Sequence, residues 1–84
     1  MKLEDTAPGM TSLDYQDRFR AEYAQLKIRA VKLKKMLSDW ENNLLTFEPP
    51  APRYVYDAQL EAMNKYASAL EIRALIEEID LYKE

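Results

Sequence analysis

The feature that most constrains this chain is a spacing of seven. Phe19, Leu26, Leu33 and Trp40 recur every seventh residue, and Tyr23, Ala30, Leu37 and Leu44 interleave with them. Apolar residues at both interleaved positions of a heptad line one face of a long α-helix. The pattern repeats further on. Tyr56, Met63 and Leu70 form one series, and Leu60, Ala67, Ala74 and Leu81 fall between them or follow. Between the two runs lies Thr46-Phe47-Glu48-Pro49-Pro50-Ala51-Pro52, where three prolines remove donors and stiffen the backbone. No glycine or proline interrupts either run, because Gly9 and Pro8 stand near the amino terminus. The spacing predicts an all-α fold, an antiparallel two-helix hairpin closed by a heptad seam.

The expected boundaries follow from the breakers. Residues 1–10 are polar and carry Pro8-Gly9, which predicts a flexible tail. Residues 11–84 form the hairpin domain, with a helix over about 12–44, a proline-rich loop over 46–52 and a helix over about 53–82. Thr11 or Ser12 is placed to cap the first helix, and Asp14 and Asp17 fall in its opening turns, where the helix dipole favours acids. Pro52 suits the first turn of the second helix. Ala30, Ala67 and Ala74 on the seam let the rods approach closely.

A two-helix core in 84 residues is thin, and no cysteine or histidine offers a disulfide or a Cys/His metal site. The last third also carries more apolar side chains than one seam can cover. Ile72, Leu75, Ile76, Ile79 and Tyr82 point around more than half of the helix and are the expected interface of a homo-oligomer. The competing occupant of that surface is the N-terminal segment.

Composition removes most catalytic chemistries. Without His or Cys there is no Ser-His or Cys-His nucleophile pair, and one glycine cannot build a phosphate loop. The fifteen carboxylates show no spacing that separates a metal or acid–base site from a solvated face. The expectation is therefore a protein with no catalytic residues, no metal and no cofactor. Glu77 stands on an otherwise apolar seam position, where a polar residue specifies register; Arg29 or Arg73 is its expected partner across a chain interface.

The net charge of −3 hides an asymmetry. Seven basic residues and the single acid Glu22 lie between Arg18 and Lys35, whereas the region from Arg53 to Glu84 has four bases and seven acids. Two readings fit. A basic helix beside an acidic one fixes register in an antiparallel pair. Alternatively, the basic run holds a small anion, with Tyr15 one turn before Phe19 and next to Arg18 offering a ring and a guanidinium together. Tyr15, Arg18, Lys27 and Arg29 are the candidate ligand-binding residues. A net-acidic chain repels duplex DNA, and no apolar run reaches the roughly 18 residues that span a membrane, so neither is an expected partner.

The stretch from Asp14 to Leu81 resembles small helical-hairpin proteins of tailed bacteriophages, among them an accessory family first met in the crAss-like phages. The residues that carry the likeness are Tyr15-Gln16-Asp17-Arg18, Glu22-Tyr23, Leu26-Lys27, Lys32-Leu33 and Met36-Leu37, then Gln59-Leu60, Ala62-Met63, Tyr66, Leu70-Glu71 and Arg73-Ala74. In size and architecture the chain is similar to phage sponges that defeat CBASS and Thoeris immunity. The resemblance implies an oligomer in the cytoplasm of an infected host cell that sequesters a nucleotide signal, a cyclic oligonucleotide or an ADP-ribose derivative. The alternatives are an anti-CRISPR-like inhibitor that binds a host protein and a structural oligomerisation module.

Overall fold

The computed structural model describes residues 14–82. Two helices, α1 (Tyr15–Glu41) and α2 (Arg53–Glu77), fold back on each other. At about 1.5 Å per residue the 27-residue α1 is roughly 40 Å long, which accounts for the 42 Å long axis of the molecule. The fold class is the one the heptads predict: all-α, an antiparallel helical hairpin.

The seam is where the periodicity places it. Phe19, Tyr23, Leu26, Ala30 and Leu37 of α1 are buried, as are Ala67, Leu70 and Ala74 of α2. The best-packed part joins the first half of α1 to the second half of α2, with Met63 and Leu81 against its edge and Leu70 only 1% exposed at its centre. Toward the loop the seam is looser. There Trp40 and Tyr56 meet edge to face at 6.0 Å, and Arg53 lies 5.6 Å over the Trp40 ring while bonding Glu41 at 2.8 Å. That ion pair ties the two helices beside the loop. Its hydrogen bonds to Glu41 and Asp57 hold the Arg53 guanidinium above its ordinary pKa.

Three local findings differ from the sequence expectation. First, α1 starts one residue after Asp14, whose side chain accepts from the backbone N–H groups of Gln16 and Asp17. Asp14 is thus the N-cap. Thr11, Ser12 and the expected tail over 1–10 lie outside the described residues. Second, α1 stops at Glu41 rather than near Leu44. Asn43 adopts φ 58°, Asn43 N–H bonds Trp40 O at 3.2 Å, and Leu44 N–H reaches back to Asp39 O at 2.8 Å. These are the paired bonds of a Schellman ending, and asparagine tolerates the left-handed residue it needs. Leu44 consequently leaves the seam and is 65% exposed.

Third, α2 ends at Glu77 rather than near residue 82. Glu78 is left-handed, and Ile79 N–H bonds Ala74 O at 2.8 Å. The reversal turns Ile79 into the hairpin's own core, 6% exposed, beside Ala74. Ile79 is therefore unavailable to a second chain, whereas Ile72, Leu75, Ile76 and Tyr82 remain exposed.

Candidate functional site

The site lies at the end of the hairpin opposite the loop, where the opening turns of α1 meet the last turns of α2. A cavity of about 320 Å³ is lined there by Tyr15, Arg18, Phe19 and Glu22 of α1 and Arg73 of α2. Its α1 wall follows from helical geometry, because residues three and four apart share a face. Tyr15 and Phe19 stand one turn apart, their rings tilted at 57° with centroids 6.2 Å apart. Arg18 and Glu22 occupy the adjoining line of the same helix.

Arg73 organises the crevice. Its guanidinium sits 5.0 Å over the Phe19 ring, which turns the negative face of the ring toward the cation. Its Nη2 donates to the Tyr15 hydroxyl at 2.9 Å, and its Nε donates to Glu77 at 3.2 Å. Tyr15 in turn donates to the other Glu77 oxygen at 2.7 Å. Among the described residues, the hydrogen bonds of Arg73 run through Nε and Nη2. Glu77 is pulled below the ordinary carboxylate pKa by the Tyr15 hydrogen bond first, with Arg73 adding to it and burial opposing. Tyr15 is pushed up, chiefly by donating to Glu77, and Arg73 is held higher by the same carboxylate.

Tyrosine–glutamate bonds recur between the helices. Tyr66 of α2 donates to Glu22 of α1, which raises the Tyr66 pKa and presents Glu22 on the crevice wall. Tyr23, only 3% exposed, donates to Glu71 and touches the Tyr82 hydroxyl at 3.4 Å. Burial first, and these bonds second, push the Tyr23 phenol far above its ordinary range. Register at this end thus rests on Tyr–Glu pairs from both helices. The ion pairs Arg20–Asp17, Lys35–Asp39 and Lys65–Glu61 instead run within a helix.

Of the four sequence candidates, Tyr15 and Arg18 line the cavity and Lys27 and Arg29 do not. Lys27 is nine residues beyond Arg18, about 14 Å along the axis and on the other side of the helix. Arg29 shares the Arg18 side but stands about 16 Å away. Both are exposed. Glu77 pairs with Arg73 one turn earlier on its own helix, not across a chain interface. The residues that sequence reasoning did not place here are Phe19, Glu22, Tyr66 and Arg73. The usable signal was the fold-back itself, since a hairpin turning near residue 46 sets Arg73 opposite Phe19.

Among the described residues no cluster of acids is placed to hold a metal ion, and no helix is long and apolar enough to cross a membrane. The fold and crevice define a small helical hairpin with a crevice lined by aromatic rings and guanidinium groups. The chain belongs to the Sequestin family, whose model matches residues 13–76. The match covers nearly all of both helices, including every residue lining the crevice. The family is named for sequestration, which is holding a molecule without transforming it. Comparison with curated proteins finds no match, and neither does comparison with solved structures.

Proposed function

We propose that this protein is a phage anti-defence sponge that binds a nucleotide immune signal, a cyclic oligonucleotide or an ADP-ribose derivative, and withholds it without catalysis. The observation that carries the reading is the crevice in which Arg18 and Arg73 flank the Tyr15 and Phe19 rings. A guanidinium recognises phosphate oxygens through its fork of donors, and the exposed Tyr15 ring accepts a stacked base, while buried Phe19 supports Arg73 from beneath. Among the described residues Arg73 bonds through Nε and Nη2, which leaves Nη1 to meet a phosphate while Glu77 and Tyr15 fix its plane, so little side-chain freedom is lost on binding. Glu22 adds an acceptor for a ribose hydroxyl or an exocyclic amine. The family name supports sequestration as the mode of action.

The crevice also limits the ligand. Arg18 and Arg73 are balanced by Glu22 and Glu77, so the local field does not favour a dense polyanion. It favours a ligand with one or two phosphates that also offers hydrogen-bond donors. Calorimetric titration with 3′,3′-cyclic di-AMP, cyclic GMP-AMP and ADP-ribose tests this. Arg73→Ala is expected to weaken the ligand that binds at least tenfold, because it removes a charged hydrogen-bond donor worth about 1.5–3 kcal/mol. Circular dichroism checks that the variant remains helical. Unchanged affinity in a folded Arg73→Ala variant refutes the site, and no binding across the panel refutes the ligand class.

A further inference from the structure

Helix α2 carries a second heptad seam on its outer face. Val55, Ala58, Ala62, Lys65, Ala69, Ile72 and Ile76 are spaced three and four residues apart in strict alternation, and all seven are exposed. Four of them follow a residue of the core-facing seam by two positions: Lys65 follows Met63, Ala69 follows Ala67, Ile72 follows Leu70 and Ile76 follows Ala74. Two residues are about 200° of helical turn. This line therefore faces directly away from α1. Ile72 is 59% exposed and Ile76 74% exposed, and a shallow groove of about 610 Å³, lined by Leu60, Glu61, Lys65, Ser68, Ala69 and Ile72, runs beside it. Alanine suits any exposed helix, but β-branched Val55, Ile72 and Ile76 do not, and their place in the same coiled-coil register gives a packed helix a face to cover.

We infer that this face pairs with the same face of a second copy, antiparallel, so that two hairpins associate through α2. The side-chain sizes fix the occupant and the direction. The amino-terminal part of the seam is small (Val55, Ala58, Ala62) and the carboxy-terminal part is bulky (Ile72, Ile76). With a two-fold axis near Lys65, Val55 meets the partner's Ile76, Ala58 meets the partner's Ile72, and Ala62 meets the partner's Ala69. Small faces large at each outer level, as knobs and holes require. A parallel pair would stack Ile on Ile at one end and Ala on Ala at the other.

Charge agrees. Asp57 and Glu61 flank the amino-terminal half of the seam. In a parallel pair each would face its own copy. The antiparallel pair separates Glu61 from the partner's Glu61 by about nine residues, or ~14 Å, which exceeds the Debye length of about 8 Å in physiological salt. Lys65 is the one polar seam residue. Its ammonium already bonds Glu61 at 3.3 Å, so its stem covers the axis while its charge stays paired at the rim. The interface requires no ligand, so it stands or falls separately from the nucleotide reading.

Light scattering on the full chain during size exclusion, at about 100 µM because dimers depend on concentration, reads the first part. The expected mass is twice the 9.9 kDa of the chain, and Ile72→Lys/Ile76→Lys is expected to halve it with helical circular dichroism unchanged. A wild-type monomer overturns the inference, as would be seen if the N-terminal segment covered this face. Crosslinking reads the direction, helped by a sequence without cysteine. Under mild oxidation, Ala62→Cys mixed with Ala69→Cys is expected to form the mixed disulfide, and Ala62→Cys alone is not. Self-linking of Ala62→Cys without the mixed product overturns the antiparallel arrangement.

Discussion

The Tyr23 phenol ties stability to alkaline pH. It is 3% exposed, donates to Glu71 and touches Tyr82, and burial with these bonds raises its pKa well above the value of about 10 it has in an unfolded chain. The sign follows from linkage. Because the folded pKa is the higher one, the folded protein keeps the proton after the unfolded chain has released it. The stabilisation is complete below pH ~10 and is lost as pH rises from there toward the folded value. The slope is about 1.4 kcal/mol per pH unit, so by pH ~11.5 the cumulative loss is about 2 kcal/mol. That is a large share of the few kcal/mol available to a chain of this size. Urea denaturation followed by helical circular dichroism from pH 8 to pH 11.5 measures it, with Tyr23→Phe as the control. Lysine titration affects both proteins alike and cancels in the difference. The difference between them should narrow or reverse by about 2 kcal/mol over the interval. Parallel stability curves for the two proteins would show that Tyr23 holds its proton no more tightly in the folded chain than in the unfolded one.

Two further predictions rest on packing and backbone. Leu70→Ala removes the most buried side chain of the seam and should cost about 2–5 kcal/mol, enough to leave the hairpin largely unfolded at 37 °C in a thermal melt; a shift of only a few degrees would show that the core is elsewhere. Glu78→Gly relieves a left-handed residue with a side chain at φ 58° and should stabilise by up to about 1 kcal/mol, read as a higher urea midpoint at unchanged slope; a lower midpoint would contradict the cap.

The heptads made the hairpin legible, because a seven-residue apolar repeat has one helical solution and Pro49, Pro50 and Pro52 fix where it breaks. The helix ends were less legible. Neither Asn43 nor Glu78 is the glycine that marks a Schellman ending, so Leu44 and Ile79 looked like continuations of their helices. At Ile79 the gain is tertiary: the turn moves an isoleucine from solvent to core, which offsets the left-handed penalty of about 1–2 kcal/mol at Glu78. The crevice was half legible. Tyr15 and Arg18 are neighbours on one helix and announce themselves by spacing. Arg73 comes from the other helix, 58 residues beyond Tyr15 in the chain, and only register brings it over Phe19. The basic run suggested Lys27 and Arg29, but composition carries neither azimuth nor axial distance: the turn of α1 puts Lys27 on the other side, and its rise carries Arg29 about 16 Å from the cavity. The outer seam of α2 was present as spacing all along, hidden because three of its seven positions, Ala58, Ala62 and Ala69, are alanines that suit any helix.

Native mass spectrometry of the intact protein, with and without a panel of cyclic di- and trinucleotides and ADP-ribose derivatives, decides whether the crevice holds a nucleotide. A defined species that retains a whole number of one unmodified nucleotide, and loses it in Arg73→Ala, is expected. A folded protein that carries none of the panel, or that returns the nucleotide cleaved, would contradict the proposed sequestration.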